Sequence, residues 1–426
     1  MPRQFRVLAI LMAGFMGFLA ASSFAAQDVV VSPDMGGTDK PIQAAIDAVI
    51  KAGGGRVVIK PGEYELRRGL ILQNAKDISI AGGPGVKLKF APEVCVVAAA
   101  DAPKGQDFVE VESAKGLAEG MVIEIQANGL LDTTPSGGKY QRPFFGASIV
   151  AVKDDKITMR RPLEYAVPKG TKIVYAYNAI LLGGRTLNVT IEGLEIDLNR
   201  DQWPVKPINH TSHCAVMGAG AYDYKKGVTG PAIEGVVIRN CVFRNCHHRG
   251  VAWYSVVKSS VLDCRIENTG AEGIDLDHFC FNCEAKGNEI RNTTSGVELN
   301  DASDCIVENN RLEGCERGIV LWRWCHGDHL NTGNVFRANV ITNSKSAGIT
   351  CETKTGKTTI ANNTVTKCGG VGIHIAGDES TITGNIISGC EKEAMLVSGN
   401  GNVLCGNDCK ENKAPLKNTG KENRIE

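Results

Sequence analysis

Between Asn240 and Ser398 apolar and polar residues alternate in short bursts, and the bursts recur. Each opens on a small residue: Gly250, Gly273, Gly296, Gly318, Gly348, Gly372 and Ala394, at spacings of 23, 23, 22, 30, 24 and 22. Alternation has period two, which marks strands and not helices. A fixed period near 23 residues marks one structural unit stacked on itself. A second marker precedes each burst. An apolar residue is followed two places later by Asn240, Asp263, Gly287, Asn309, Ala338, Asn362 or Gly384, and then by Cys241, Cys264, Asn288, Asn310, Asn339, Asn363 or Asn385. Six of the seven bend residues are types that tolerate positive φ. The pattern predicts a tight bend between two short strands, followed by an internal ladder of Asn side chains. Three short strands and three turns fill each repeat, and coils stack about 4.8 Å apart. The fold class is therefore all-β, a parallel β-helix solenoid.

The bends and the Asn ladder resemble the short second turn of the right-handed parallel β-helix superfamily of pectate lyases and polygalacturonases. The segment from Gly36, Gly37, Thr38 and Asp39 through Ile42–Asp47 to Gly53–Tyr64 resembles that superfamily's opening. The resemblance runs from about residue 34 to 405. It implies a right-handed β-helix but not a reaction, because one fold hosts many chemistries.

Five segments follow. Residues 1–26 read as a signal peptide: Arg3 and Arg6, an apolar run from Val7 to Ala20, then Ser23, Phe24 and Ala25 as a small-x-small cleavage site. The protein is expected to be secreted, extracellular or periplasmic, with no membrane association after cleavage. Residues 27–94 hold an N-terminal cap and the first coils. Pro41–Lys51 reads as an amphipathic helix ending at Gly53, placed to plug the open end of the solenoid. Residues 95–178 break the repeat and read as an inserted antiparallel β module. Residues 179–405 form the β-helix with its groove-lining loops, and 406–426 a polar tail expected to fray.

Basic and acidic side chains balance at 47 each, which gives no field for nucleic acid or membrane. Oligomeric state is not readable. The 15 cysteines leave at least one unpaired. Cys241 with Cys264, Cys283 with Cys305, and Cys368 with Cys390 fall on adjacent coils. They read as small buried ladder residues. The Cys280 and Cys283 pair beside His278 is not taken as a metal site.

Alternation fixes direction. Ile274, Leu276, Val297 and Leu299 point inward, so Asp275, Asp277, Glu298 and Asn300 point outward. Asp275 and Glu298 sit one coil apart, and the three carboxylates are expected within about 5 to 8 Å. Like charges that close raise at least one pKa, an arrangement suited to sharing a proton or a substrate hydroxyl. His278 and Arg323 border the patch along the chain; His248 and Arg249 border it from the preceding turn. Tyr254, Trp322 and Trp203 are candidate platforms for sugar rings, and Arg323 for a substrate carboxylate. In the superfamily, the strand after the third turn lines the substrate groove, and these Gly-led strands occupy its place. The run Gly273–His278 is loosely similar to the Asp-containing motifs of polygalacturonases and to the Asp-Pro-His motif of alginate epimerases. The Asn-Thr-Asp and Gly-His-Gly signatures are absent.

These features give a secreted enzyme acting on a polysaccharide. The first reading is a glycoside hydrolase with Asp275 and Asp277 as acid and base, supported by Glu298 and His278. The alternative is a polysaccharide lyase or uronate epimerase, with His278, Arg249, Lys225 or Lys226 taking the C5 proton. No cofactor is required by the first; Ca²⁺ on the acidic patch enters only with lyase chemistry. A non-catalytic carbohydrate-binding β-helix is the third reading.

Overall fold

The structure is a computed structural model that describes residues 28–133, 139–324 and 331–426, with the side chains of 128–133 and 139–145 outside the description. The expected signal segment lies outside the described residues. Three long parallel sheets carry the solenoid, and one coil shows how they connect. Val237–Arg239 lies in the first sheet, Val242–Arg244 in the second and Val251–Tyr254 in the third. The bend between the first two is the one the sequence marks. All seven bend residues, from Asn240 (φ 54°) to Gly384 (φ 64°), adopt positive φ, Ala338 among them.

The residue after each bend points inward. From Asn288 the amides run through Asn310, Asn339, Asn363 and Asn385 to Asn407, each Nδ2 donating to the next Oδ1 at 2.8–2.9 Å. Each Nδ2 also donates to a backbone carbonyl, as Asn339 does to Val307. The ladder thus satisfies polar groups that burial would otherwise penalise. Above it, Cys241 and Cys264 take the same column with small buried thiols. The described cysteines are free.

The core is the inside of the tube. Val251, Ile274, Val297, Ile319, Ile349 and Ile373 form one of its apolar columns, each fully buried. Helix α1 (Asp39–Lys51) closes the N-terminal end, burying Ile42, Ala45, Ile46 and Val49. Its Gln43 side chain accepts from the Ile71 amide and donates to the Ile71 carbonyl, satisfying the edge strand of the third sheet.

Residues 95–175 contain a six-stranded antiparallel sheet with its own core, including Val109, Ile125, Ile149 and Ile157. The tail, expected to fray, instead continues the coil. Ala414–Asn418 pairs with Glu393–Val397, and Arg424–Ile425 pairs with Val403–Cys405. The Asn402 backbone amide donates to Asn423 Oδ1, which extends the ladder logic into polar sequence and is why composition misread it.

Candidate functional site

The third sheet carries the site on its outer face. Its register places Ala252 beside Asp275, Asp275 beside Glu298 and Glu298 beside Val320. Tyr254 pairs with Asp277, and Asn300 with Trp322. Inward neighbours Ile274, Leu276, Val297 and Leu299 are in the core, so the acidic side chains point out, as alternation requires.

They are outward but not exposed. Asp275 has no accessible surface, and Asp277, Glu298 and Asn300 have at most 5%. The expected open groove is roofed here, and the roof was not readable from the repeat. Arg249 lies across the acids. Its Nε donates to Glu272 Oε2 at 2.6 Å and sits 2.8 Å from Asp275 Oδ2. Its Nη1 donates to the His210 carbonyl and to the Tyr254 hydroxyl, both at 2.9 Å. The single Nε hydrogen is spent on Glu272, so both Asp275 oxygens stay without a hydrogen bond despite the ion-pair contact.

Burial pushes the Asp275 carboxyl well above the usual range, Arg249 offsets part of this, and the charges of Asp277, Glu272 and Glu298 add to it. Burial acts the same way on Glu272, but the charge and hydrogen bond of Arg249 outweigh it and hold that carboxyl low. Glu298 is pushed to about 7, first by burial and then by Glu272. Ser295 Oγ and Trp322 Nε1 donate to its two oxygens at 2.9 and 2.8 Å, with Arg317 at 3.6 Å. The site therefore holds one carboxyl that Arg249 keeps low, Glu272, and two raised above the usual range, Asp275 and Glu298.

Beside them stands His278. Its Nδ1 is 2.8 Å from Oδ2 of Asp301, which is fully buried and accepts the Trp324 amide through Oδ1 at 2.9 Å. Asp277 Oδ1 lies 3.1 Å from the same Nδ1 and accepts the His278 amide. With the hydrogen assigned to Nδ1 toward Asp301, Nε2 is left as an acceptor. Rings of Tyr222, Tyr224 and Tyr254 surround the imidazole at centroid distances of 5.4, 5.0 and 5.6 Å. Tyr222 and Tyr224 come from the excursion after Ala219, whose strands Tyr222–Asp223 and Gly227–Val228 form a small hairpin.

The structure brings together Asp275, Asp277, Glu298, His278, Arg249, Tyr254, Asn300 and Trp322. It does not bring Lys225, which is exposed in that hairpin with its amide on Asp223. His248 is buried beside the cluster, but its Nε2 is bonded to the Pro207 carbonyl, and burial lowers its pKa to about 3. It holds the loop down as a neutral ring. Trp203 is not a sugar platform. It is 1% exposed, packs against Phe90, Tyr177 and His213, and donates to the Ala91 carbonyl. Arg323 lies half-buried after Trp322.

Glu272, Ser295, Arg317 and Asp301 were missed as site residues. The first three, like Arg249, immediately precede a marker glycine. Gly273 turns a corner: a Cβ there would meet the core side chain of Ile290. The glycine and the residue after it both face inward, so alternation fails and the preceding residue lands on the outer wall. A column read upstream of the glycines would have found them.

A family model described as right handed beta helix region matches residues 178–332, and one described as periplasmic copper-binding protein (NosD) matches 282–425. The latter description implies copper. Among the described residues no group of three or more His, Cys, Asp or Glu converges as a metal site, and the Cys280, Cys283 and Cys305 thiols face backbone carbonyls. This donor set does not fit copper, and no step below runs through it. No protein of curated function matches the sequence. Among solved structures, the A-module of mannuronan C-5 epimerase AlgE4 from Azotobacter vinelandii is similar at 16% identity and a TM-score of 0.57, over 95% of this chain and 98% of that one. The A-module of AlgE6 from the same organism gives 14%, 0.54, 95% and 98%. Likeness at this identity speaks for the fold. With the register of the three sheets, it establishes the chain as a right-handed parallel β-helix protein.

Proposed function

We propose that the protein is an exported carbohydrate-active enzyme that moves the C5 proton of a uronate residue within a polysaccharide, as an epimerase or a lyase. The observation that carries this is the His278–Asp301 pair set beside Arg249 and the Glu298 carboxyl, whose pKa is raised to about 7. His278 Nε2 takes the proton from C5. The C–H electron pair moves into the uronate carboxylate, giving an enediolate. Arg249 and the Glu298 carboxyl face that developing charge, which they stabilise more than the ground state. In an epimerase, Tyr254 returns a proton to the opposite face of C5. In a lyase, the pair instead expels the C4 glycosidic oxygen, which takes a proton from Tyr254 as it leaves, and a double bond forms between C4 and C5. These steps use side chains alone. The solved mannuronan C-5 epimerases with this fold make a mannuronate polymer the first substrate to try.

Glycoside hydrolysis is the second reading, favoured by Glu298, whose pKa near 7 suits a general acid. Against it, Asp275 is wholly covered and cannot reach a glycosidic oxygen. Incubation with polymannuronate, polygalacturonate and neutral glycans in D₂O separates the outcomes. Deuterium at C5 without cleavage gives the epimerase, and unsaturated ends give the lyase. New reducing ends lacking both would refute proton transfer at C5, and binding without any product would leave a carbohydrate-binding protein.

A further inference from the structure

The third sheet begins well before the acids, and its outer face there forms a cleft. The cleft has a volume of about 1170 Å³ and lies between helix α1, the first coils, the inserted sheet and the 209–212 loop. Its floor continues the rows that carry the site. Ile71, Leu181, Met217, Ala252, Asp275 and Glu298 are consecutive partners in one row. Gln73, Gly183, Ala219, Tyr254 and Asp277 are consecutive in the next. From Ile71 to Asp275 is four rungs, about 19 Å at the strand spacing; Ile71, Leu181 and Met217 line the cleft, and Ala252, the rung before Asp275, is buried.

The lining is unlike an ordinary surface. Ile71 and Val122 are 48% and 40% exposed, apolar side chains left open inside the cleft. Lys40, Lys51 and Arg68 project into the same space, all exposed, and among the described residues none has a carboxylate at ion-pair distance. The two acids of the lining are already engaged: Asp39 is buried and accepts the Arg67 amide, and Asp47 accepts from Gln43. An apolar floor beside unpaired cations and the Gln73 amide suits a ligand with flat apolar faces, hydroxyls and negative charge.

We infer that this cleft is an extended binding site for an anionic oligosaccharide, in which the capping helix supplies one wall and Lys40, Lys51 and Arg68 contact carboxylates of the polymer several residues from the reacting one. The inference rests on the C5-proton reading for its substrate class. It gives the cap helix a second task besides closing the core.

The test uses the full-length protein, polymannuronate oligomers of increasing length and titration calorimetry. The triple variant Lys40→Ala/Lys51→Ala/Arg68→Ala changes exposed side chains only, and a thermal melt checks its fold; Lys40→Glu in an otherwise native chain serves as a second variant. Octamers are expected to bind the triple variant at least tenfold more weakly and with a shallower salt dependence, while dimers bind both proteins alike. Equal octamer affinity in the variants, or equal affinity of the native protein for a carboxyl-reduced neutral octamer, overturns the cleft. No binding of any octamer overturns it too. Variant-sensitive octamer binding with no C5 exchange or cleavage upholds the cleft and refutes the reaction.

Discussion

Replacing Asp301 by Asn tests the site where its logic is most exposed. Asp301 has no accessible surface, and its two oxygens have separate duties: Oδ1 accepts the Trp324 amide at 2.9 Å and Oδ2 faces His278 Nδ1 at 2.8 Å. An amide keeps the shape but has only one acceptor. If its oxygen serves Trp324, its NH₂ confronts Nδ1, which must then give up its hydrogen. The hydrogen moves to Nε2, and the base can no longer accept a proton. If the amide flips, the buried Trp324 amide loses its partner. That flip would cost about 1–3 kcal/mol for the unsatisfied buried amide, which favours the first arrangement. A positioned general base contributes about 10²–10⁴ in rate, so kcat should fall by roughly that factor with KM little changed. The assay is the initial rate of C5 deuterium incorporation into polymannuronate, paired with a denaturant melt. A purely structural role would move the melt and leave the rate per folded molecule intact. Undiminished kcat in a folded Asp301→Asn protein would refute the assignment of His278 as base.

Glu298 gives a pH signature. Its folded pKa of about 7 lies above the ordinary 4.5, so the native state holds the proton more tightly than the unfolded chain. Stability should be fullest below pH 4.5 and fall by about 3 kcal/mol as pH rises to 7, a slope absent from Glu298→Gln in melts across that range. Asn339→Ala removes the acceptor of the Asn310 amide and side chain and the donors to Val307 and Asn363. It should cost roughly 3–5 kcal/mol in urea unfolding; a loss below 1 would mean the ladder is ornamental. Trp203→Ala should cost about 3–5 kcal/mol through its cavity but leave KM of the folded protein unchanged, because the ring is packed inside and not offered to sugar.

The repeat made the solenoid, the cap helix and the Asp275–Glu298 neighbourhood legible, since alternation and period alone fix which side chains share a wall. Where the chain leaves that regime, reading stopped. Trp203 and His210 belong to an aperiodic excursion, and nothing in residue order says that such a loop folds over Asp275 or drives a tryptophan inward. Asp301 follows its strand at φ 54°, where alternation no longer gives direction, so its approach to His278 was invisible. Glu272 and Arg317 sat in plain view one place before a glycine, but a corner there reverses the rule that would have placed them. The tail failed for a different reason: its polarity suggests solvent, while Asn423 continues an internal ladder that sequence composition treats as surface.

The corner glycines set more than direction. A Cβ on Gly250, Gly273, Gly296, Gly318 or Gly348 would come within 2.3–2.8 Å of the carbonyl oxygen of the next glycine in the column. Neighbouring coils can close to their normal separation only because hydrogens occupy these places. A methyl group at Gly296 would wedge the turns apart next to Glu298, and the acids would drift from one another with no change in their own identity. The proposed chemistry would thus depend on atoms that never meet a substrate.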